Sequence, residues 1–168
     1  MEWLDRRYVA SGREITMTRK SAAYPPLKLD NQICFAVYST AHAFNRIYKP
    51  LLTRLGLTYP QYLVMLVLWE RDDIPVRHIG ERLFLDSGTL TPLLKRLETA
   101  GLIRRTRSVE DERQVLIALT PQGLALRDKA KTVPQGVLAA SACSVDELVS
   151  MKDELVALRD RLNKALGE

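Results

Sequence analysis

Asp86-Ser87-Gly88-Thr89-Leu90-Thr91-Pro92-Leu93-Leu94-Lys95-Arg96-Leu97-Glu98-Thr99-Ala100-Gly101 is the stretch from which the architecture can be built outward. Asp86 is placed to accept the first free N–H groups of a helix. Gly101 stands where a left-handed residue ends one, so a helix is expected from 86 to Ala100. Leu90, Leu93, Leu94 and Leu97 recur by threes and fours and face inward, which leaves Ser87, Thr89, Thr91, Lys95 and Arg96 for the outer face. Upstream, Pro75 starts a short helix through Leu83, and two short helices joined by a tight turn make a helix-turn-helix. Downstream, residues 102–107 and 113–119 cluster β-branched and charged residues around Val109-Glu110-Asp111-Glu112, the pattern of a two-stranded hairpin. A hairpin directly after the second helix of such a motif is a wing.

Further out, Ile33, Val37, Ala41, Phe44, Tyr48, Leu51 and Leu55 keep helical spacing and predict a long helix over about 31–55. Thr58-Tyr59-Pro60-Gln61 is a capping box that opens a strongly apolar helix from 59 to about 71. Thr120-Pro121-Gln122-Gly123 starts another helix, disturbed at Pro134. Ser144-Val145-Asp146-Glu147 is a second capping box, followed by a stripe of Leu148, Met151, Leu155, Leu158, Leu162 and Leu166. The expected fold is mainly helical with a small β-wing. Residues 57–120 form the winged helix-turn-helix; residues 30–56 and 121–168 supply helices whose uncovered apolar faces predict a homodimer, the whole of 30–168 being one domain. Residues 1–29 lack periodicity, close on Pro25-Pro26 and read as a flexible or partly docked arm; Met17 is an alternative start.

Composition narrows the class. A chain of 168 residues has room for one domain and an arm, not for a second catalytic domain. The longest strongly apolar run, Tyr62 to Trp69, is far short of the roughly 20 residues that cross a bilayer, and no apolar signal stretch opens the chain, so a cytoplasmic protein is expected. The two cysteines, Cys34 and Cys143, are too few for a disulfide framework. His42 and His78 lack paired ligand spacing, so no metal is expected, and neither a phosphate loop nor a hydrolytic triad is present. Lys and Arg exceed Asp and Glu by 25 to 20, which permits a nucleic-acid partner without requiring one.

The placement of the charges says more. Short hydroxyls at the start of the 86–100 helix suit base edges and phosphates, and Lys95 and Arg96 suit the backbone; a plain surface helix is the alternative. Arg104, Arg105 and Arg107 lie on the first wing strand and Arg113 opens the second. A long cation on a hairpin suits the negative minor groove, and Asp111 is placed to brace the Arg113 guanidinium. A solvated turn would carry the same residues. The run Asp111-Glu112-Arg113-Gln114-Val115-Leu116-Ile117-Ala118-Leu119-Thr120-Pro121-Gln122-Gly123 resembles the wing signature of the multiple-antibiotic-resistance regulator (MarR) family, and the element order matches over residues 30–166. That resemblance implies a homodimer on pseudo-palindromic double-stranded operator DNA. It sets Arg113 at the minor groove and the 86–100 helix in the major groove.

Cys34 falls in the first or second turn of the first long helix, where unpaired N–H groups favour a thiolate; a small buried packing residue is the competing assignment. Its surroundings, Leu27-Lys28-Leu29-Asp30-Asn31-Gln32-Ile33-Cys34-Phe35-Ala36-Val37-Tyr38-Ser39, resemble the segment around the peroxide-sensing cysteine of the organic hydroperoxide resistance regulators, a subgroup of that family. The recognition helix is similar to that subgroup's as well. The resemblance implies a repressor that holds DNA while Cys34 is reduced and releases it when organic hydroperoxides oxidise the thiol. It also implies that Tyr48 and Tyr59 hydrogen-bond the reduced cysteine, and that Cys143 is the resolving thiol; otherwise a small cellular thiol caps Cys34 and Cys143 is a bystander. Fourteen residues of helix separate Cys34 from Tyr48, about 21 Å at 1.5 Å per residue, so any such bond crosses to a second subunit. A regulator responding to a small phenolic ligand is the alternative function. A thiol peroxidase is disfavoured, because no Arg or Thr is placed to assist Cys34 and the wing would be unexplained. No cofactor is expected.

Overall fold

The computed structural model describes residues 8–10, 13–15, 25–109, 111 and 113–167, the first two groups as backbone only. It divides into two compact units, residues 44–141 and the paired terminal segments 1–43 and 142–168.

The unit 44–141 is built around one helix. The long α1 (Ile33–Thr53) enters it, and α2 (Tyr59–Glu70) follows with Tyr62, Val64, Met65, Val67, Leu68 and Trp69 all buried. A helix apolar on every side belongs in a core, and α2 is the central pillar of this unit. Its start is set as the capping box requires: Gln61 Oε1 accepts the Thr58 N–H at 2.8 Å and the Thr58 hydroxyl at 3.0 Å. Around it pack α3 (Val76–Leu83), α4 (Ser87–Thr99) and α5 (Pro121–Ala130). Ile79, Leu90, Leu94, Leu97, Ile103 and Ile117 share the α2 cluster, each at most 2% exposed. Full burial of side chains this size contributes ~1.5–3 kcal/mol each.

The wing is a three-stranded antiparallel sheet in the order β3 (Ile74–Pro75), β5 (Val115–Leu119), β4 (Ile103–Arg107). The sequence gives two of these strands; the third was hidden because Pro75 reads as a helix start. It is also a strand residue, pairing with Leu116 while Ile74 pairs with Ile117, and α3 begins one residue later. Proline is tolerated there because β3 is the sheet edge. Gly101 has φ +71°, the left-handed turn that carries the chain from α4 into β4.

The expected disturbance at Pro134 falls three residues earlier. α5 ends at Ala130 and α6 (Thr132–Ser141) starts beyond Lys131, so Pro134 lies in the first turn of α6, where its missing N–H costs nothing.

In the terminal unit, a 3-10 turn at Leu29–Asn31 leads into α1, two residues later than the spacing suggested. α7 (Val145–Leu166) starts at the Ser144–Glu147 capping box and ends at Gly167. The arm, read as aperiodic, carries a short antiparallel pair, β1 (Tyr8–Ala10) with β2 (Arg13–Ile15). No described residue of α7 is buried. Among the described residues no helix is long and apolar enough to cross a membrane.

Candidate functional site

Two groups of side chains stand out in the unit 44–141, a polar face on α4 with the wing, and a tyrosine cluster around the start of α2; the two cysteines belong to the other unit. On α4, Asp86 caps the helix by accepting the Thr89 N–H at 2.8 Å and the Thr89 hydroxyl at 3.0 Å. These bonds favour the ionised carboxylate and hold its pKa below the ordinary value of 3.8. Ser87, Thr89, Thr91, Lys95 and Arg96 are all exposed, whereas Leu90, Leu93, Leu94 and Leu97 are buried. The Thr91 hydroxyl donates to the Ser87 carbonyl at 2.7 Å. Thr89 and Thr91 therefore spend their protons inside the helix and offer outward only acceptor lone pairs and methyl groups. Such groups meet base amino groups and thymine methyls rather than phosphates.

On the wing, Arg104 and Arg107 are exposed and Arg105 is half-buried. Arg105 pairs with Ile117 and so shares the sheet face of the core. Arg113 does not open the second strand; it lies exposed in the turn, two residues before β5. Asp111 braces it differently from the expected ion pair. Its Oδ1 accepts the backbone N–H of Arg113 at 3.0 Å and its Oδ2 the Gln114 side-chain amide at 3.0 Å. The Ser108 N–H donates to the Gln114 carbonyl at 2.9 Å, closing the turn. Asp111 thus fixes the main chain from which Arg113 projects, while among the described residues no carboxylate pairs with the guanidinium. Glu110 and Glu112, the rest of the acidic tip, lie outside the described residues.

Cys34 is the second residue of α1 and is exposed, contrary to the buried-packing alternative. Cys143 is half-buried in the α6–α7 connection, directly after Ala142, whose φ is +53°. Neither is disulfide-bonded within the chain. Tyr48 and Tyr59 are brought together, with ring centroids 4.6 Å apart. Tyr62, in sequence no more than the start of an apolar run, joins them at 6.1 Å from Tyr48 and reaches Trp69 at 6.2 Å. The spacing Tyr59, Tyr62 on one helix face was the available signal. Burial, with the neighbouring phenols Tyr59 and Tyr62 adding to it, pushes the Tyr48 pKa up to about 12. Tyr59 is raised by burial, and Tyr62 by burial and by Tyr59. All three are phenol donors at neutral pH. Among the described residues no group of His, Cys, Asp and Glu is arranged to hold a metal.

A helix-turn-helix with a solvent-facing polar helix and an arginine-bearing wing defines a winged-helix DNA-binding regulator. Comparison with known proteins agrees. Residues 46–130 match the family model described as transcriptional regulator SarA/Rot. The chain is 53% identical to the HTH-type transcriptional regulator TtmR of Methylorubrum extorquens over 142 residues, 84% of this chain and 73% of that protein. It is 49% identical to the organic hydroperoxide resistance transcriptional regulator of Bacillus subtilis over 138 residues, covering 82% and 94%. Among solved structures it resembles AbfR of Staphylococcus epidermidis, reduced and bound to DNA, with a TM-score of 0.73 and 35% identity over 87% of this chain and 99% of that one. The disulfide form of AbfR also matches, with a TM-score of 0.59 and 35% identity over 83% and 98%. The chain belongs to the SarA/Rot family of transcriptional regulators, and within the MarR-type winged-helix proteins it is of the organic hydroperoxide resistance regulator type.

Proposed function

We propose that this protein is a homodimeric repressor that binds operator DNA while Cys34 is reduced and releases it when an organic hydroperoxide oxidises Cys34. The observation that carries the proposal is the exposed thiol at the second residue of α1, a placement in which a hydroperoxide reaches the sulfur. The Cys34 thiolate attacks the hydroperoxide O–O bond, giving a sulfenic acid and, with one proton, the alcohol. The thiol of Cys143 then condenses with the sulfenic acid to form a disulfide and water. The Tyr48–Tyr59 pair supplies the phenol donors for the reduced cysteine of the other subunit. Two features support the dimer: among the described residues no apolar side chain of α7 is buried, and Ile33 and Val37 of α1 are exposed beside the cysteine. Relatives that are named transcriptional regulators support the class.

The reading is tested by operator gel shift with and without cumene hydroperoxide. Wild type is expected to release the operator and Cys34→Ser to retain it; release by Cys34→Ser would sink the proposal. On a non-reducing gel the oxidised wild type is expected as a covalent dimer, lost in Cys143→Ser.

A further inference from the structure

The two ends of α2 carry different attachments. At its start, Tyr59 and Tyr62 are joined to Tyr48. Its far end is tied by two long-range hydrogen bonds to the corner where the wing returns to the helices. Trp69 Nε1 donates to the Gly123 carbonyl at 3.0 Å, and Asp72, just past the helix, accepts the Leu119 N–H on Oδ1 at 2.7 Å. Leu119 ends β5 and Gly123 lies in the first turn of α5, so the two bonds bracket Thr120.

Thr120 holds the other half of the corner. Its N–H donates to the Leu102 carbonyl at 3.1 Å, its hydroxyl donates to the Gly101 carbonyl at 2.6 Å, and the hydroxyl oxygen accepts the Gly123 N–H at 3.0 Å. Gly101 and Leu102 connect the recognition helix α4 to β4. The backbones touch here: a Cβ on Gly123 would stand 2.0 Å from the Leu102 carbonyl oxygen. The end of α4, both long wing strands and the start of α5 are therefore fixed to one another at a single corner, and α2 grips that corner from both sides of Thr120. Trp69 is 8% exposed, so water does not readily replace the lost bond if the corner shifts.

We propose that Trp69 and Asp72 are positioning residues for DNA reading: through them α2 acts as a rigid lever that sets recognition helix and wing, as one body, according to the state of the tyrosines at its other end. Twelve residues of helix span about 18 Å, and the internal hydrogen bonds of a helix do not slip as a loop would. A displacement of Tyr59 is thereby delivered to Gly101 and Leu119 instead of being absorbed. The link from oxidation to the tyrosines rests on the function proposed above; the lever itself does not.

The test is a double-mutant cycle on operator affinity, using the full-length reduced protein with Tyr59→Ala, Asp72→Ala and the pair. Sites this far apart multiply their effects when they act independently. The lever predicts that the pair departs from that product by at least about threefold. Asp72→Asn, which keeps an acceptor oxygen, is expected to restore most of the single-site loss. Trp69→Phe, which keeps the ring and removes the donor, repeats the cycle if Asp72→Ala unfolds. Products that hold within about twofold in folded variants of both cycles overturn the proposal. Hydroperoxide release by wild type is read separately. Release with multiplicative cycles sinks the lever alone, whereas coupled cycles without release sink the redox reading alone.

Discussion

The winged-helix unit and the terminal unit are made of similar amino acids and end in opposite states. In residues 44–141 the apolar helix faces meet one another, leaving Met65, Ile79 and Leu97 at 0% exposure. In the terminal unit the same kind of periodic face stays uncovered among the described residues: Ile33 is 65% exposed, Leu155 50% and Leu162 57%. Amphipathic periodicity specifies a helix and the side it must bury, but not whether the covering surface is in the same chain. The polar face of α4 and the wing sit on the unit that completes its own core, and Cys34 sits on the other. That division suits the proposed switch, in which a preformed reader would be moved as a whole by a change at a surface completed by a second subunit.

Substitutions on the two units should therefore fail differently. The largest effect is expected from Met65→Ala, which opens a cavity in the α2 cluster and should cost ~2–5 kcal/mol in chemical denaturation, a large share of a typical domain's stability. Next comes Leu155→Lys on α7. It should leave the helical signal and the winged-helix core intact while the sedimentation velocity shifts from dimer to monomer and operator affinity falls. Were Leu155→Lys to unfold the chain as Met65→Ala does, or to leave a wild-type dimer, the contrast between the units would be wrong.

The sequence disclosed most of what local chemistry determines. Caps at Thr58, Asp86, Thr120 and Ser144 were legible because each is a short motif whose partner lies three residues on, and all four form. What escaped were features made by residues far apart in the chain. Pro75 carries the local signature of a helix start, and nothing around it reports that Ile74 will meet Ile117. The Asp111–Arg113 pair was placed correctly but given the wrong bond, since at that spacing a turn brings a carboxylate to the backbone N–H sooner than to a long guanidinium. Trp69 closes an apolar run and Asp72 follows a helix end, and neither position reports a distant partner. Their partners, Gly123 and Leu119, are 54 and 47 residues away.

Alkaline titration sharpens the comparison from the side of the tyrosines, which belong to the self-sufficient unit. The Tyr48 pKa lies at about 12 in the folded chain against an ordinary value of 10.0, so the unfolded chain loses that proton first. The resulting stabilisation is complete below pH 10 and disappears as pH rises toward 12. Tyr48→Phe should flatten the fall in unfolding midpoint across that window, and absorbance at the phenolate band should show one late-titrating group missing. An unchanged alkaline slope would mean that the cluster is open to solvent.

The smallest effect is expected at the recognition helix. Asp86 is exposed, and its pKa is lowered chiefly by the Thr89 N–H and then by the Thr89 hydroxyl, so the folded chain favours the carboxylate more than the unfolded chain does. The cap is then fully effective above the ordinary value of 3.8 and is lost as pH falls through the lower folded value. Asp86→Ala should slightly lower the thermal midpoint at neutral pH and leave that difference smaller in acid, where the wild-type cap is itself protonated. Operator affinity at neutral pH should fall by more than the stability loss suggests, because the same cap orients Ser87, Thr89 and Thr91 on the polar face of α4. Asp86→Asn, which keeps an acceptor oxygen, separates the two contributions: it should recover most of the operator affinity while removing the acid dependence.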